Sequence, residues 1–438
     1  MNTWKPQKIL LSLSLSAVAF TGCSSGSPAS SSGSVEAPPL KEDNSPITIQ
    51  YWHSHPETQL EGMKLIIAEF NKKYPNITVE PVYQGSYDEL SRKLTAAMAA
   101  KDVPAVTVTE NSLMPNLAIN GALMELGTYI QRDKVDTKDF SKGMLEAYSL
   151  NGKQYGIPFV VSTNAFVYNK TMFDKEGIKP PETWADVETF GQKIVKKEGD
   201  KISRYGFTVN LSGPWDYEPW LLNGGGTIFT KDGKSGVDQP ESFRFMRQFQ
   251  EWKKKGYIYY THGKGGTDTA KQMFLDGQLG MFQISSSGLK AYQDTAKFEI
   301  GAAFLPGDKR RIAEIGGAAL VIMDMAPQKQ KEAAWKFVQF ATGAENNIKF
   351  VDALGYMPTR KAAVNSPQGQ EFFKKYPYMK SIFDHFDDVI SRPQHPGYSE
   401  TKASLQKAID RVVLENTDVE ASFKQGAKEV NEILKDYK

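Results

Sequence analysis

Between residues 47 and 109 the hydrophobic period switches from two to 3.6 and back, twice over. No other feature of the chain restricts its fold as much. Residues 47–51 alternate with the period of a half-buried strand, and residues 61–74 then set Leu65, Ile66, Phe70 and Tyr74 at helical spacing. Residues 77–82 form a second strand, interrupted by Pro81. Ser86-Tyr87-Asp88-Glu89 has the form of a capping box, in which serine and glutamate each satisfy a backbone N–H of the other. The helix it opens carries Leu90, Leu94, Ala97 and Met98 on one face, and residues 105–109 follow as a third strand. Strand–helix–strand units need crossovers, so the pattern predicts an α/β fold with a mostly parallel sheet and helices on both faces.

A second α/β region begins after Gly156-Ile157-Pro158-Phe159. Phe166-Val167-Tyr168 reads as a strand, and Thr183-Trp184-Ala185-Asp186 caps a helix bearing Val187, Phe190 and Ile194. Residues 269–275 are expected as a helix stopped by Gly277, 280–284 and 315–323 as strands, and 331–342 as a helix. From 366 to the end the pattern is helical, with no clear strand. No fixed-period repeat is present, which excludes solenoids and propellers. Beyond its first 45 residues the 438-residue chain is too long for one ordinary core, and two lobes are expected.

The start of the chain gives its address. Lys5 and Lys8 precede an apolar, serine-dotted stretch over 9–20, too short for a membrane span of about 20 residues but suited to a signal peptide. It runs into Ala19-Phe20-Thr21-Gly22-Cys23, which resembles the bacterial lipobox, with Phe20 where Leu is usual. Cys23 is the only cysteine, so an exported form has no intramolecular disulfide and no cysteine-based zinc site. The reading is a signal peptide over 1–22, lipidation at Cys23, and a Ser/Gly-rich flexible tether over 23–45 that holds the body at the outer face of the cell membrane. Formal charge is +2 (53 basic against 51 acidic residues), and about zero without Lys5 and Lys8. With no basic patch, nucleic acid is not an expected partner.

Catalytic signatures are missing. No Gly-x-Ser-x-Gly, His-Glu-x-x-His or Walker loop occurs, and carboxylates alone support no glycosidase pair. His53 and His55 could share a strand face, but two imidazoles leave a zinc site unfinished, and they read as polar residues at a strand end. No metal, cofactor or enzymatic activity is expected. Several aromatic and polar residues do fall where strands end or helices begin: Trp52, Tyr87, Glu110, Trp215, Ser286 and Tyr356. In open α/β sheets ligands sit beyond the carboxyl ends of strands. Aromatic faces cover the C–H faces of a sugar, while carboxylates and hydroxyls satisfy its rim.

The whole mature chain resembles the extracellular solute-binding protein family that includes the maltose- and sn-glycerol-3-phosphate-binding proteins. The likeness runs through Ile49-Gln50-Tyr51-Trp52-His53-Ser54, Gly85-Ser86-Tyr87, Tyr155-Gly156-Ile157-Pro158 and Val167-Tyr168-Asn169-Lys170. Pro181-Glu182-Thr183-Trp184, Ile315-Gly316-Gly317-Ala318 and Gly355-Tyr356-Met357-Pro358 continue it. The resemblance implies a two-lobed, periplasmic-binding-protein-like (type II) fold with discontinuous lobes: 46–156 plus 312–354, and 157–311 plus 355–438. It implies hinges over 156–161, 305–312 and 354–355, and a ligand site of Trp52, Tyr87, Glu110, Ser162, Trp215, Ser286, Gly316, Gly317 and Tyr356. It also implies a monomer that delivers its ligand to ABC permeases. One departure bears on the ligand. The glycerol-3-phosphate branch uses an arginine in the C-terminal segment, and none aligns around 398–404, Arg392 lying too early and Arg411 too late. A neutral oligosaccharide or polyol is therefore expected, with glycerol 3-phosphate or a glycerophosphodiester as the alternative. A carbohydrate-active enzyme and a sensor component are the readings from other classes.

Overall fold

Strand β1 (Ile47–His53) pairs in parallel with β2 (Ile77–Tyr83) along its whole length and with β3 (Val106–Glu110) through Tyr51↔Val106. The crossovers are the helices Leu60–Lys73 and Tyr87–Ala100. Met63, Ile66 and Phe70 are the buried face of the first, and Leu90, Leu94 and Ala97 that of the second. Pro81 is tolerated because β2 is an edge strand with no neighbour to receive an N–H. The capping box at Ser86 forms as expected: the Glu89 N–H donates to Ser86 Oγ at 3.3 Å, and the Ser86 N–H donates to Glu89 Oε2 at 2.7 Å. Thr183 and Asp186 repeat it at the helix Trp184–Ile194. This computed structural model describes residues 44–437 apart from Pro56 and Lys264. The signal peptide, the lipidation site Cys23 and nearly all of the tether lie outside the described residues.

Further along the chain come the two-residue pair β4 (Ser149–Leu150) and β5 (Lys153–Gln154), then β6 (Gly156–Asn169), β7 (Lys196–Glu198), β8 (Lys201–Asn210) and β9 (Ile258–Thr261). The last four are β10 (Leu279–Ser285), β11 (Ile300–Ala303), β12 (Ala313–Ile322) and β13 (Val389–Ile390). The main sheet runs β2-β1-β3-β12-β6-β10-β8-β7. Its centre is β6, a 14-residue strand buried at every position but Tyr168. Residues Gly156 to Thr163 of β6 pair antiparallel with β12, which pairs onward with β3. From Asn164 the same strand pairs instead with β10 and then β11. One strand therefore belongs to both halves of a two-lobed α/β fold, and the two segments read separately from the sequence are its two ends.

The second half has an aromatic core. Trp220 stacks on Phe207 at 5.9 Å between centroids, and Trp184, Phe249 and Trp252 pack edge-on or tilted around them. Burying such a ring contributes up to about 3 kcal/mol of transfer free energy. Three expectations need correction. The sheet is mixed rather than mostly parallel, because β12 runs antiparallel to both β3 and β6, and β10 and β11 run antiparallel to β6. The C-terminal segment is not wholly helical, because β13 adds two residues in parallel to β12 (Ala313↔Val389), too short a run to show a period. His53 ends β1 and His55 follows just past it, at the strand end as expected, but they are buried, 2% and 1% exposed, and stacked at 5.2 Å. The Tyr51 hydroxyl lies 2.7 Å from His55 Nε2, and the Phe159 ring meets the imidazole edge-on. Among the described residues no helix is long and apolar enough to cross a membrane, and no group of three metal-ligating side chains forms.

Candidate ligand-binding site

Where β3, β6 and β12 run side by side they leave a cavity of about 250 Å³. Seven of the nine expected residues line it: Tyr87, Glu110, Ser162, Trp215, Gly316, Gly317 and Tyr356. Tyr87 is the first residue of its helix, set in place by the Ser86 cap, and Glu110 closes β3. Ser162 lies opposite Gly316 in the β6–β12 register. Trp215 opens the helix Pro214–Asn223 and donates its indole N–H to the Ile315 carbonyl at 3.2 Å. Tyr356 follows Gly355, whose φ of +79° ends the helix Ala344–Leu354.

The paired glycines have separate reasons. A Cβ on Gly316 would stand 2.8 Å from both Ser162 Oγ and the Trp215 ring, so the indole lies over bare backbone. Gly317 has φ +81°, and a Cβ there would be 1.8 Å from the Val160 carbonyl oxygen. That conformation precedes the register shift between Ala318 and Ala319. Burial, reinforced by the neighbouring phenols and Glu110, raises the Tyr87 hydroxyl well above its ordinary pKa, so it stays protonated. Tyr356 is raised too, by burial first, against hydrogen bonds with Gln59 and Tyr87.

Two expected residues fall elsewhere. Trp52 donates to Gln50 Oε1 at 3.1 Å and is not on the cavity wall. Ser286 is fully buried, and its hydroxyl accepts the Thr163 N–H at 3.1 Å, which fastens the turn to β6. Its neighbours Ser285 and Ser287 reach the cavity instead, 2.9 Å apart through their hydroxyls.

Sequence reasoning missed Asn111 and Arg392, and the second reverses a premise. Arg392 lies too early in the chain to align with the arginine of the glycerol-3-phosphate branch, yet it stands on the cavity wall. Asn111 is the reason: its Oδ1 accepts the Arg392 backbone N–H at 2.9 Å, and its Nδ2 donates to the Ala147 carbonyl at 2.6 Å. A side chain just after β3 thus pins a segment 281 residues away, and pairwise spacing carries no trace of it.

Behind the wall Arg392 meets two fully buried carboxyls. Its Nη2 lies 3.4 Å from Glu218 Oε2, and its Nε lies 3.9 Å from Glu314 Oε2. Arg392 also donates to the Tyr398 hydroxyl at 2.5 Å, and that hydroxyl donates to Glu218 at 2.6 Å. Burial works against the guanidinium's charge, but Tyr398, Glu218 and Glu314 outweigh it and hold its pKa above the ordinary value. Burial, then the Glu218 charge, raise Glu314 well above the carboxylate range despite Arg392, so it keeps its proton at neutral pH.

The profile of the bacterial extracellular solute-binding proteins matches residues 66–381. The chain belongs to this family. Among relatives of this solute-binding protein is the sn-glycerol-3-phosphate-binding periplasmic protein UgpB of Escherichia coli (strain K12), 28% identical over 355 residues, which cover 75% of this chain and 78% of that one. In structure it is similar to UgpB from Mycobacterium tuberculosis in complex with glycerophosphocholine, with a TM-score of 0.78 and 24% identity over 89% of this chain and 99% of that one. It is equally similar to the sugar-binding protein MalE of Xanthomonas citri, with a TM-score of 0.78 and 20% identity over 89% and 98% of the two chains. At these identities the structures establish the two-lobed fold.

Proposed function

We propose that this solute-binding protein is the capture component of an ABC importer, and that it takes a small carbohydrate or polyol into the cavity by lobe closure and hands it to membrane permeases. One observation carries the ligand class. An indole and two protonated phenols converge with Glu110, Ser162 and two further serines on one cavity of about 250 Å³. Such a wall offers a stacking face and a rim of hydrogen-bonding groups, which is what a hydroxyl-rich, weakly charged molecule needs. The volume lies just below the usual range of about 300–1,000 Å³, which suits a small ligand rather than a long oligosaccharide.

On the lobe division 46–156 plus 312–354 against 157–311 plus 355–438, the lining is shared. Tyr87, Glu110, Gly316 and Gly317 come from the first lobe and Trp215, Tyr356 and Arg392 from the second, while Ser162 lies on the part of the shared strand β6 that pairs with β12. A ligand held between them favours the closed form by its differential contacts. The family supports binding and release rather than turnover, outside the cytoplasm. Lipidated Cys23 is the proposed anchor of a monomer.

Arg392 favours a second reading, a glycerophosphodiester, whose single negative charge a guanidinium on the wall could meet. Thermal unfolding of the purified full chain with maltose, ribitol, glycerophosphoglycerol and glycerol 3-phosphate separates the two. Ligand at a hundred times its Kd adds about 2.7 kcal/mol of stability. Stabilisation by neutral compounds alone, abolished in Trp215→Ala, supports the first reading. Stabilisation by the phosphodiester alone supports the second, and no stabilisation by any of them refutes the ligand class.

A further inference from the structure

We propose that Glu218, which lies behind the cavity wall, sets the charge of the ligand: by pairing with Arg392 it cancels the guanidinium's field, so the cavity takes neutral or singly charged polyols and rejects doubly charged phosphate monoesters. This rests on the reading that the cavity holds the ligand.

Among the cavity's lining residues Arg392 is the one base and Glu110 the one acid. A lone guanidinium there would draw in a phosphate dianion. Arg392 is not alone. Glu218 is wholly buried, three residues after Trp215 on the same helix, so the element that presents the indole also delivers the counter-charge. Its Oε2 sits 3.4 Å from Arg392 Nη2 and accepts the Tyr398 hydroxyl at 2.6 Å.

The other ionisable groups packed around the pair add no positive charge. Glu314 and Tyr398 are both raised by burial first and stay protonated. Asp216, on the same helix, is pushed up to about 7 by burial, so at pH 8 it adds negative charge rather than positive. Arg392 and Glu218 therefore sum to zero, and the negative charge of Glu110 remains on the wall. Adding a dianion would place two further negative charges in a cavity with no net positive charge to meet them. Near a protein surface, one unit charge at this range changes affinity by about tenfold or more.

Isothermal titration of the full chain at pH 8 with glycerol 3-phosphate, there a dianion, and glycerophosphoglycerol, a monoanion, tests this. Glu218→Gln keeps a hydrogen-bonding partner for Tyr398 but drops the charge. It should bind the monoester at least tenfold more tightly than the wild type, while Glu218→Asp should match the wild type. A merely structural Glu218 would weaken binding when replaced, so monoester affinity that is unchanged or lower in a folded Glu218→Gln overturns the proposal. Should that variant fail to fold, the wild type decides, because it must not bind the monoester more tightly than the diester. If Trp215→Ala leaves all binding intact, the cavity reading fails. If the cavity reading holds and only the monoester comparison fails, Glu218 alone loses its role.

Discussion

Gly316 and Gly317 are neighbours in sequence, and alanine should damage them in different ways. At Gly317 the backbone is left-handed, with φ +81°, and the new Cβ would stand 1.8 Å from the Val160 carbonyl oxygen. The left-handed conformation alone costs a side-chain-bearing residue about 1–2 kcal/mol. The obstructing atom is backbone, held in the β6–β12 ladder by pairs Gly317↔Val161 and Ala318↔Val160, so relief means losing hydrogen bonds worth about 1 kcal/mol each. The sum is about 3–4 kcal/mol, among the largest effects a single substitution has. At Gly316 φ is not left-handed, and the Cβ meets only the Ser162 hydroxyl and the Trp215 ring, each at 2.8 Å. Those are side-chain ends that can swing aside. Gly316→Ala should cost about 1 kcal/mol in folding, yet displace the indole and weaken ligand at least tenfold. Equilibrium urea unfolding followed by tryptophan fluorescence gives the folding terms, and titration calorimetry gives the affinity. A Gly317→Ala variant that loses less than about 1 kcal/mol, or equal folding losses at the two sites, would refute the assignment of one glycine to the backbone and the other to the cavity.

Other outcomes follow from the same geometry. Ser86→Ala removes one half of a capping box and should destabilise the protein by about 1 kcal/mol in urea unfolding. Because Tyr87 begins that helix, ligand affinity should fall as well. Asn111→Ala should free the segment carrying Arg392, seen as faster amide hydrogen exchange at 391–394, with β1 to β3 unchanged. The two buried histidines give a pH signature. Burial lowers His53 to about 4 and His55 to about 3, the latter also pressed down by His53, against an ordinary value of 6.5. Their folded pKa values lie below the unfolded one, so the unfolded chain binds more protons as pH falls below about 6.5. Stability is full above that pH and declines on acidification, by about 2 kcal/mol per ring at pH 5. Unfolding midpoints at pH 7 and pH 5 should differ accordingly, and His55→Gln should flatten the difference.

Legibility in the sequence tracks the range of the interactions. The strands and helices through β3 and the capping boxes at Ser86 and Thr183 rest on contacts within a few residues, and each leaves a local pattern. So do Gly316 and Gly317, whose pairing is visible even though its two causes are not. Ser286 shows the limit of a motif. The Ser285-Ser286-Ser287-Gly288 run marks the right turn, but the turn aims the first and third hydroxyls at the cavity and gives the second to the Thr163 N–H. Arg392 and β13 were illegible because their positions depend on partners far along the chain: Asn111 for the first, Ala313 and Glu314 for the second. The burial of His53 and His55 is likewise set from elsewhere, by rings such as Phe159 that pack over the end of β1.

Because β6 serves both halves of the sheet, site and motion are joined on one strand. Ser162 lies on the cavity wall, and two residues later the strand leaves β12 for β10. The Thr163 N–H at that transition is held by Ser286, and the Asn164 amide donates to the Trp215 carbonyl at 3.1 Å. On the proposed closure mechanism, a rotation of one half against the other at this transition would carry Ser162 and Trp215 in opposite senses relative to the ligand. The ligand's contacts with both would then be made fully in only one arrangement. The bond from Asn164 to Trp215 is the mechanical link, since it ties the stacking residue to the strand and not merely to its own helix. Asn164→Ala should therefore cost more in affinity than its distance from the cavity suggests. With the indole still present, the loss should come mainly as faster dissociation. If Asn164→Ala leaves the dissociation rate of a bound polyol unchanged, Trp215 is positioned by its own helix and by Ile315 alone.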